Sequence, residues 1–456
     1  MALEKNSESG LGVEADPIPG KASEGSGDER PRTKDPPGLG NPLVIVKDGG
    51  TMRILMLNHN TKWRGTFFRA FHFARCLARR GHEVTVVTIS ESNRLRFRTE
   101  NLQGVRVVES PDLLAGKGRT GWDPYDTIRR TLLALTGETF DIVHAFDCRP
   151  AVILPALALK RIRGVKLVSD WADWWGRGGI IEERGRILRW TMGAVETFFE
   201  EFFRPFADGL TVTSRALQDR AAGLGIPRGR IRYIPSGADT ETIRPMDKIR
   251  SRKLLGLPEN GPIVEFIGFV NYDFDCMIRS FPFVQKAFPE ATLLLVGQPS
   301  PLTPKLSKAC GITRGIRETG VVPFEKLSVY LACADVLLLP FTDKICNIGR
   351  GPIKLGDYMA AGRPIVTQPV GDLRFVFDGS EPIGVLAGDT PEEFGRAVCE
   401  LLADPDRAEK LGRNARRLAE ERYAWPILAS ELERYYEHLL GSPDRSAAAA
   451  KGGHEA

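Results

Sequence analysis

The stretch MRILMLNHNTKWRGTFFRAFHFARCLARRGHEVTVVTI (52–89) decides the fold. An apolar strand (52–58) leads through a loop containing Gly65 into a helix (67–80), and a second apolar strand (83–89) follows. Two strands joined by a helix form a βαβ unit, whose strands run parallel in one sheet. The sequence therefore predicts an α/β protein with a parallel sheet.

The alternation of strands and helices recurs along the chain, and a polar, turn-rich stretch (236–261) divides it into two groups. Alternating strands and helices build doubly wound parallel sheets, so we expect two Rossmann-like domains that bind ligands at the carboxyl edges of their sheets. The further strands are expected at 140–146, 165–171 and 208–214, and then at 263–269, 291–297, 316–322, 334–341, 363–368 and 383–387.

The two ends of the chain are not expected to join a core. The first 51 residues are rich in Gly, Pro, Ser, Glu and Asp, with too little apolar surface to offset the entropy of ordering them. The expected organisation is a disordered tail at 1–51, a first Rossmann-like domain at 52–245, a second at 246–424, a helix at 425–441 able to cross back to the first domain, and a disordered, low-complexity tail at 442–456.

Composition excludes several classes of protein. No apolar run approaches the roughly 18 residues of a membrane span, and the opening MALEKNSESG lacks the pattern of a secretory leader. The seven cysteines are scattered without CxxC or CxxH pairs, which indicates thiols in a reducing compartment and no zinc site. We therefore expect a cytoplasmic protein.

The net charge of +5 is mild, but residues 1–51 carry nine acidic and six basic side chains, so the remainder is near +8. This surplus is most simply an arginine-rich solvated surface. It also suits anionic ligands or an anionic membrane face, which leaves peripheral contact with the inner membrane face open. The sequence has no compact run of basic residues, so nucleic-acid binding is not expected.

The loop after the first strand places Gly65 and a helix N-terminus at the carboxyl edge of the sheet, where ligands bind. A simple turn is the plainer explanation of this glycine. The loop has no GxGxxG motif, so no dinucleotide cofactor is expected.

The most informative stretch is NIGRGPIKLGDYMAAGRPIVTQPVGD (347–372). Pro352 suits the first position of a helix, and the flanking Gly349 and Gly351 let the backbone approach a ligand closely. The stretch therefore predicts a helix whose N-terminus lies at a binding site.

Three charged residues share one face of this helix and its entry, because Arg350, Lys354 and Asp357 stand at i, i+4 and i+7. Two cations beside a helix N-terminus favour a diphosphate, and the carboxylate one turn deeper can accept hydrogen bonds from a ribose diol. The alternative is a surface helix with a lysine–aspartate pair spaced three residues apart.

The segment KLGDYMAAGRPIV resembles the signature of family-4 glycosyltransferases of the GT-B fold, and the resemblance extends from about Met52 to Leu440. It implies two Rossmann-like domains that face each other across a cleft, with the nucleotide-sugar donor on the second and the acceptor on the first. It further implies retention of anomeric configuration, with neither metal nor cofactor. The other matching segments are MRILMLN, GHEVTVVT, DIVHAFD, ADGLTVTS, IRYIPSGADTETIRP, LLLVG and ADVLLLPF.

The chain departs from the family pattern in its donor residues. The second acid of the family's Glu-x7-Glu pair is Asp357 here, but the first falls on Gly349. The basic pair of the family's GRL..EKG element is replaced by Phe269 and Phe274 in GFVNYDFD (268–275). The resemblance therefore assigns the diphosphate to Arg350 and Lys354. Donor-side glycines are expected at Gly65, Gly237, Gly268, Gly349 and Gly351.

The acceptor side also departs from the pattern. SDWADWW (169–175) resembles YDLHDLW, in which the histidine lies near the reacting sugar; Ala172 occupies that position, while Asp173 is retained. We expect Asp173 to act beside Arg350 and Lys354, in a divergent branch of the family. Residues after a strand end often serve ligands, and the acceptor-side candidates are Asp170, Trp171 and Trp174.

Two other motifs have plain and functional interpretations. Asp273 and Asp275 form a DxD triplet, which can hold a divalent metal, but chance yields about one or two such triplets in a chain of this size. FFEEFFRPF (198–206) favours core packing over an interfacial membrane helix.

The resulting hypothesis is a glycosyltransferase that uses a nucleotide sugar and a glycan or lipid-linked acceptor. The alternatives are a non-catalytic protein that binds nucleotide or glycan, suggested by the missing family residues, and a GT-B sugar epimerase.

Overall fold

The computed structural model describes residues 50–113, 120–268 and 273–441. The first sheet is built from strands that are buried along most of their length, as the apolar runs predict. Its strands are β1 (Arg53–Thr61), β2 (Glu83–Ile89), β3 (Arg98–Leu102), β4 (Val105–Ser110), β5 (Ile142–Phe146), β6 (Lys166–Trp171), β7 (Gly209–Val212) and β8 (Ile231–Tyr233).

The first sheet is doubly wound. Its strand order is β3-β4-β2-β1-β5-β6-β7-β8, and every pairing is parallel except β3 with β4. The chain moves outward from β1 in one direction through β2 and in the other through β5, which opens a crevice between the carboxyl ends of β1 and β5. Its helices are α1 (Thr66–Arg79), α2 (Pro124–Thr136), α3 (Pro150–Arg163), α4 (Arg186–Phe202) and α5 (Arg215–Gly223).

The hairpin of β3 and β4 is a feature that the strand pattern did not predict. The strands turn at Gln103 and Gly104, both with positive φ (52° and 84°). Two successive positive φ values are the geometry of a two-residue hairpin turn. Exposed polar residues dominate β3, so its sequence carries no apolar signal.

The second sheet is entirely parallel. Its strands are β9 (Ile263–Ile267), β10 (Thr292–Val296), β11 (Ile316–Glu318), β12 (Val336–Leu339), β13 (Ile365–Thr367) and β14 (Gly384–Leu386), in the order β11-β10-β9-β12-β13-β14. Its helices are α6 (Lys248–Leu254), α7 (Phe274–Ala287), α8 (Leu302–Ala309), α9 (Leu327–Cys333), α10 (Ile345–Ile348), α11 (Ile353–Ala361), α12 (Leu373–Phe377), α13 (Pro391–Ala403) and α14 (Pro405–Leu418).

The last helix, α15 (Trp425–Leu439), packs against the first sheet's domain. Trp425 and Tyr436 are buried in one cluster with Phe73 of α1. The Tyr436 hydroxyl lies 2.6 Å from Nδ1 of His144 on β5. The chain therefore passes from the first domain to the second and returns. Among the described residues, no helix combines the length and apolar character needed to span a bilayer.

Candidate functional site

The helix predicted from GRGPIKLGDYMAAG is α11, at the carboxyl edge of the second sheet. It begins at Ile353, so Pro352 is its N-cap. The sequence had suggested that Pro352 is the first helical residue. The preceding loop lies against the first domain, because Ser214 Oγ donates to the Gly349 carbonyl and Ser236 Oγ to the Gly351 carbonyl, both at 3.0 Å. The first N–H groups of α11 therefore point into the junction of the domains.

Lys354 is a half-buried cation at this helix end. Its Nζ lies 4.2 Å from the ring centroid of Phe266 and has no hydrogen-bond acceptor in the described part of the chain. A Cβ at Gly268 would lie 2.6 Å from Nζ, so this glycine, with φ 124°, makes room for the lysine. Burial, and then the charge of Arg350, lowers the pKa of Lys354 to about 7. An anion bound at this position would offset both effects, because its charge favours the protonated form of Lys354.

Arg350 lies next to Lys354 and is held on one side. One terminal nitrogen lies 3.4 Å from Asp273 Oδ2, and the guanidinium stacks over Phe341 at 4.7 Å. Its buried Nε has no hydrogen-bond partner among the described residues. The side chain is therefore fixed in place while retaining a donor for a ligand.

Asp273 organises the loop that carries Arg350. This buried carboxylate accepts from the backbone N–H of Thr342 at 3.3 Å, from the Thr342 hydroxyl, and from Asn347 Nδ2 at 3.0 Å. Asp275 points elsewhere, with its carboxylate 4.0 Å from Arg279 one turn along α7. In the described ranges, no group of three or more His, Cys, Asp or Glu residues could hold a metal.

Phe269 and Phe274 occupy the positions of the family's basic pair. Phe274 is buried in the core between α7 and the second sheet. Phe269 lies outside the described residues.

Asp357 lies one turn into α11 and is half-buried, with no hydrogen-bond partner in the described part of the chain. Burial, and then the charge of Asp239, raises its pKa to about 8. Asp239 itself pairs with Arg75 of α1 at 3.0 Å. The predicted ribose acceptor is therefore a carboxyl group that is largely protonated at neutral pH in the unliganded protein.

The position of the missing first acid is filled by Trp174 from the first domain. A Cβ at Gly349 would lie 2.7 Å from the Trp174 Cβ. The indole is fixed, because its Nε1 donates to the Arg177 carbonyl at 2.9 Å and Arg220 stacks over its ring at 4.1 Å. Gly351 is constrained in the same way, since a Cβ added at this position would lie 2.9 Å from the Thr213 carbonyl oxygen. These glycines let the two domains meet.

Asp173 faces Arg350 from the first domain. Burial raises the pKa of Asp173, and Arg350 is the first of the charges that oppose this rise. Asp173 makes no hydrogen bond within the described residues, so its carboxyl group is available to a ligand. The structure thus brings together Lys354, Arg350, Asp357, Asp173 and Trp174.

Four other predicted residues have structural partners. Asp170 is buried and pairs with Arg69 at 3.0 Å. Trp171 is buried, with its Nε1 donating to Glu200 at 2.9 Å, so its indole offers no stacking surface to an acceptor, contrary to its prediction as an acceptor-side residue. Gly65 and Gly237 complete this group. Gly65 packs against the Asn60 side chain, which caps the Thr66 N–H, and Gly237 packs against Trp425.

A buried cluster at the crevice between β1 and β5 was not predicted. His59 Nδ1 and Asp147 Oδ2 lie 3.4 Å apart, and neither atom has a hydrogen-bond partner among the described residues. Arg149 lies 3.4 Å from the same carboxylate oxygen. Asp147 has φ 100°, an unusual conformation for a residue other than glycine. Its position directly after a strand was the only readable signal.

The protonation of this pair leaves two acceptors facing each other. Burial lowers the pKa of His59 to about 3, and the ring donates to the Phe146 carbonyl. Burial alone would raise the pKa of Asp147, but the neighbouring basic groups, among them the guanidinium of Arg149, lower it. A neutral imidazole with a free Nδ1 and an ionised carboxylate call for a shared donor, such as a hydroxyl group.

Comparisons with known proteins agree with this architecture. The model of the Glycosyl transferase 4-like domain matches residues 65–237, and that of Glycosyl transferases group 1 matches 261–404. Together they cover more than half of the chain, one in each domain. The chain belongs to the two-domain GT-B glycosyltransferases of the family-4-like type.

The chain is similar in sequence to curated transferases and in fold to solved two-domain structures. It is 27% identical, over 54% of its length and 66% of the relative's, to a GDP-mannose-dependent alpha-(1-6)-phosphatidylinositol monomannoside mannosyltransferase of Mycobacterium tuberculosis. It is 26% identical over 77% of its length, and 90% of the relative's, to the enzyme of that name from Mycolicibacterium smegmatis. Sucrose-phosphate synthase from Thermosynechococcus elongatus shares the fold, with a TM-score of 0.67 and 19% identity over 86% of this chain and all of that one.

Proposed function

We propose that the protein transfers a glycosyl group from a nucleotide-diphosphate sugar, bound at the N-terminus of α11, to an acceptor bound on the first domain. The observation that carries this proposal is Lys354, a lysine beside a helix N-terminus that has no ion-pair partner in the described part of the chain. Breaking the sugar–diphosphate bond leaves negative charge on the diphosphate. Lys354, Arg350 and the helix N-terminus stabilise that charge.

The ribose and the acceptor have separate places in this proposal. Asp357 accepts from the ribose hydroxyls, one turn along the helix from the phosphates. On the first domain, Asp173 and the His59–Asp147 pair receive acceptor hydroxyls, and Trp174 borders them. Domain contacts at Gly349 and Gly351 exclude water that would hydrolyse the donor.

The chemistry of the partners follows from the same proposal. A glycan or lipid-linked acceptor agrees with the phosphatidylinositol mannosides named for the mycobacterial relatives. We place the protein in the cytoplasm, at the inner membrane face, where nucleotide sugars and such acceptors meet. We further propose retention of configuration, in a divergent branch that uses Arg350 and Lys354 in place of the family's basic pair.

The decisive variant is Lys354→Met, which keeps much of the stem and removes the ammonium group. We expect turnover of a nucleotide sugar to fall by about 10² to 10³, because one oxyanion-stabilising donor is lost. The double variant with Arg350→Met should lose less than the product of the single losses, since both serve one leaving group. Product release is measured over a donor panel that includes GDP-mannose.

The matched control is Lys326→Met, an exposed lysine of the same domain, which should leave turnover within about threefold. If Lys354→Met and Arg350→Met behaved like this control while the protein stayed folded, the leaving-group assignment would be wrong. A non-catalytic binding function would then be the better proposal.

Metal independence is tested separately with a chelator. Because Asp273 is engaged by Thr342, Asn347 and Arg350, we expect turnover to be unchanged in excess EDTA. Loss of turnover that Mg²⁺ or Mn²⁺ restores would contradict this expectation.

A further inference from the structure

Helix α4 carries a continuous apolar face that the fold does not cover. We define this apolar face as Ile187, Trp190, Phe198, Phe202 and Phe206, of which the first two are 82% and 83% exposed. The phenylalanines are 50%, 49% and 39% exposed. Their spacing of three, four or eight residues places the first four along one side of the helix. The face therefore runs the length of α4 and continues to Phe206 beyond its end.

The opposite side of α4 packs against the rest of the first domain. Gly193, Glu196 and Glu200 are buried, and Phe199 and Phe203 pack against the core. The FFEEFFRPF segment thus divides into two sets, one in the core and one exposed. Phe198 and Phe202 stack on each other at 4.8 Å, which preorganises the exposed set without burying it.

Two arginines that form no ion pair with the described residues flank the apolar face. Arg186 at the start of α4 has no ion pair with any described residue. Near the far end, Arg161 lies over the Phe206 ring at 5.8 Å and also lacks a carboxylate partner within the described ranges. Apolar side chains framed by unpaired arginines match the interface of an anionic bilayer, where the rings enter the acyl boundary and the guanidinium groups meet headgroups.

A surface groove adjoins the far end of the face. It has a volume of about 510 Å³ and lies between α3 and the end of α4, with a lining that includes Leu154, Ile162, Phe202 and Phe206. Among the described residues that line it, Arg161 alone is charged. An apolar groove with a cation at its rim fits one acyl chain and its anionic headgroup.

The orientation of α4 relates this surface to the cleft. The 17-residue helix is about 25 Å long. Just before it, Glu183 lies 3.5 Å from Lys344, which stands beside α10 in the second domain. The start of α4 is therefore at the rim of the cleft, and the groove is at the other end.

We propose that the apolar face of α4 docks on an anionic lipid bilayer and so presents lipid-linked acceptors to the cleft. The proposal rests on the proposed function for the acceptor, but docking does not depend on turnover. The bilayer is the occupant that the unpaired arginines favour over a second copy of the chain.

The experiment is co-sedimentation of the full chain with vesicles of equal parts phosphatidylcholine and phosphatidylglycerol, without any donor. We expect binding that phosphatidylcholine vesicles alone do not support. The double variant Ile187→Ser/Trp190→Ser should reduce the partition coefficient at least tenfold, because two exposed apolar side chains no longer enter the bilayer. Arg161→Gln should weaken binding mainly at low salt.

The matched control is Val321→Ser, a 74% exposed apolar residue of the second domain, which should bind vesicles like the parent. Equal binding by the parent and the α4 variant would overturn the proposal, as would concentration-dependent dimers that this variant abolishes in the absence of vesicle binding. Turnover of a soluble acceptor should be the same in parent and variant. This readout separates failure of docking from failure of the proposed function.

Discussion

Lys354 and Asp357 are three residues apart on one helix, and their pKa values are displaced in opposite directions. Burial disfavours the charged form of each, lowering the pKa of the ammonium to about 7 and raising that of the carboxyl group to about 8. In the unliganded protein both groups are therefore partly neutral at physiological pH. A donor that needs an ammonium and a carboxylate must restore both charges.

Donor affinity should therefore depend on pH with a maximum near pH 7.5. Above about pH 7, Lys354 loses its proton and phosphate binding weakens; below about pH 8, Asp357 gains a proton and ribose binding weakens. Each limb should approach tenfold per pH unit, measured as the Kd of a nucleotide sugar by calorimetry. Lys354→Met should remove the alkaline limb alone.

Asp357→Asn should remove the acidic limb and weaken binding by about 1.5 to 3 kcal/mol at the optimum, with little loss of folding stability. A flat profile in the parent protein, or an unchanged Kd in this variant, would contradict the ribose assignment.

Some of these residues were readable from the sequence and others were not. Lys354 and Asp357 follow from helical spacing, because the period of a helix places i and i+3 on one face. Arg350 was read from the same spacing, but it lies in the loop before α11, which begins at Ile353. His59 and Asp147 are 88 residues apart and meet only because β1 and β5 pair in the sheet. Trp171 is the last residue of β6, at the strand end where ligand-binding residues are common, but its indole turns inward to Glu200. Spacing along one element is visible in a sequence, whereas side-chain direction in a loop is not.

At the scale of elements, the conformation of the short loop around α10 depends on Asp273, the N-cap of α7. Asp273 joins Thr342, Asn347 and Arg350 through one buried carboxylate. The sequence showed a DxD triplet there, but not its partners about 70 residues away. The position of Arg350 is therefore set by a second element, in addition to its own.

Asp273→Asn should reduce turnover more than tenfold and cost about 1 to 3 kcal/mol of unfolding free energy, because the charge-assisted bonds to this loop are lost. Turnover and a urea unfolding curve are measured on the same preparation. Asp275→Asn, two residues along and exposed, should change stability by less than about 0.5 kcal/mol and leave turnover intact. Equal effects of the two substitutions would count against the positioning role.

At the scale of the whole molecule, one buried ion pair ties α1 of the first domain to the stretch at 236–261 that leads into the second. Arg75 and Asp239 are 6% and 1% exposed and lie 3.0 Å apart. Nearby, Ala238 pairs with Tyr423 and Trp425 through the backbone, where the chain crosses back to the first domain. Both crossings between the domains therefore meet at this ion pair.

Arg75→Leu should lower the free energy of unfolding by about 3 to 5 kcal/mol, because Asp239 is left buried without a counter-ion. Arg79→Leu is the matched control: it lies one turn along the same helix and pairs with Glu241 at 2.5 Å, but both side chains are about half exposed. Arg79→Leu should lower the free energy of unfolding by less than about 1 kcal/mol. Chemical denaturation of both variants checks the difference, and similar losses would mean that Asp239 is compensated by other groups.

The contact between Gly349 and Trp174 bears on how this site could change over evolutionary time. A glutamate at position 349 would collide with an indole that Arg177 and Arg220 hold in place. The missing family acid cannot return by one substitution without a clash; a smaller residue at position 174 has to come first. Each of the two changes alone leaves a worse fit, so positions 349 and 174 are epistatic and have to change together.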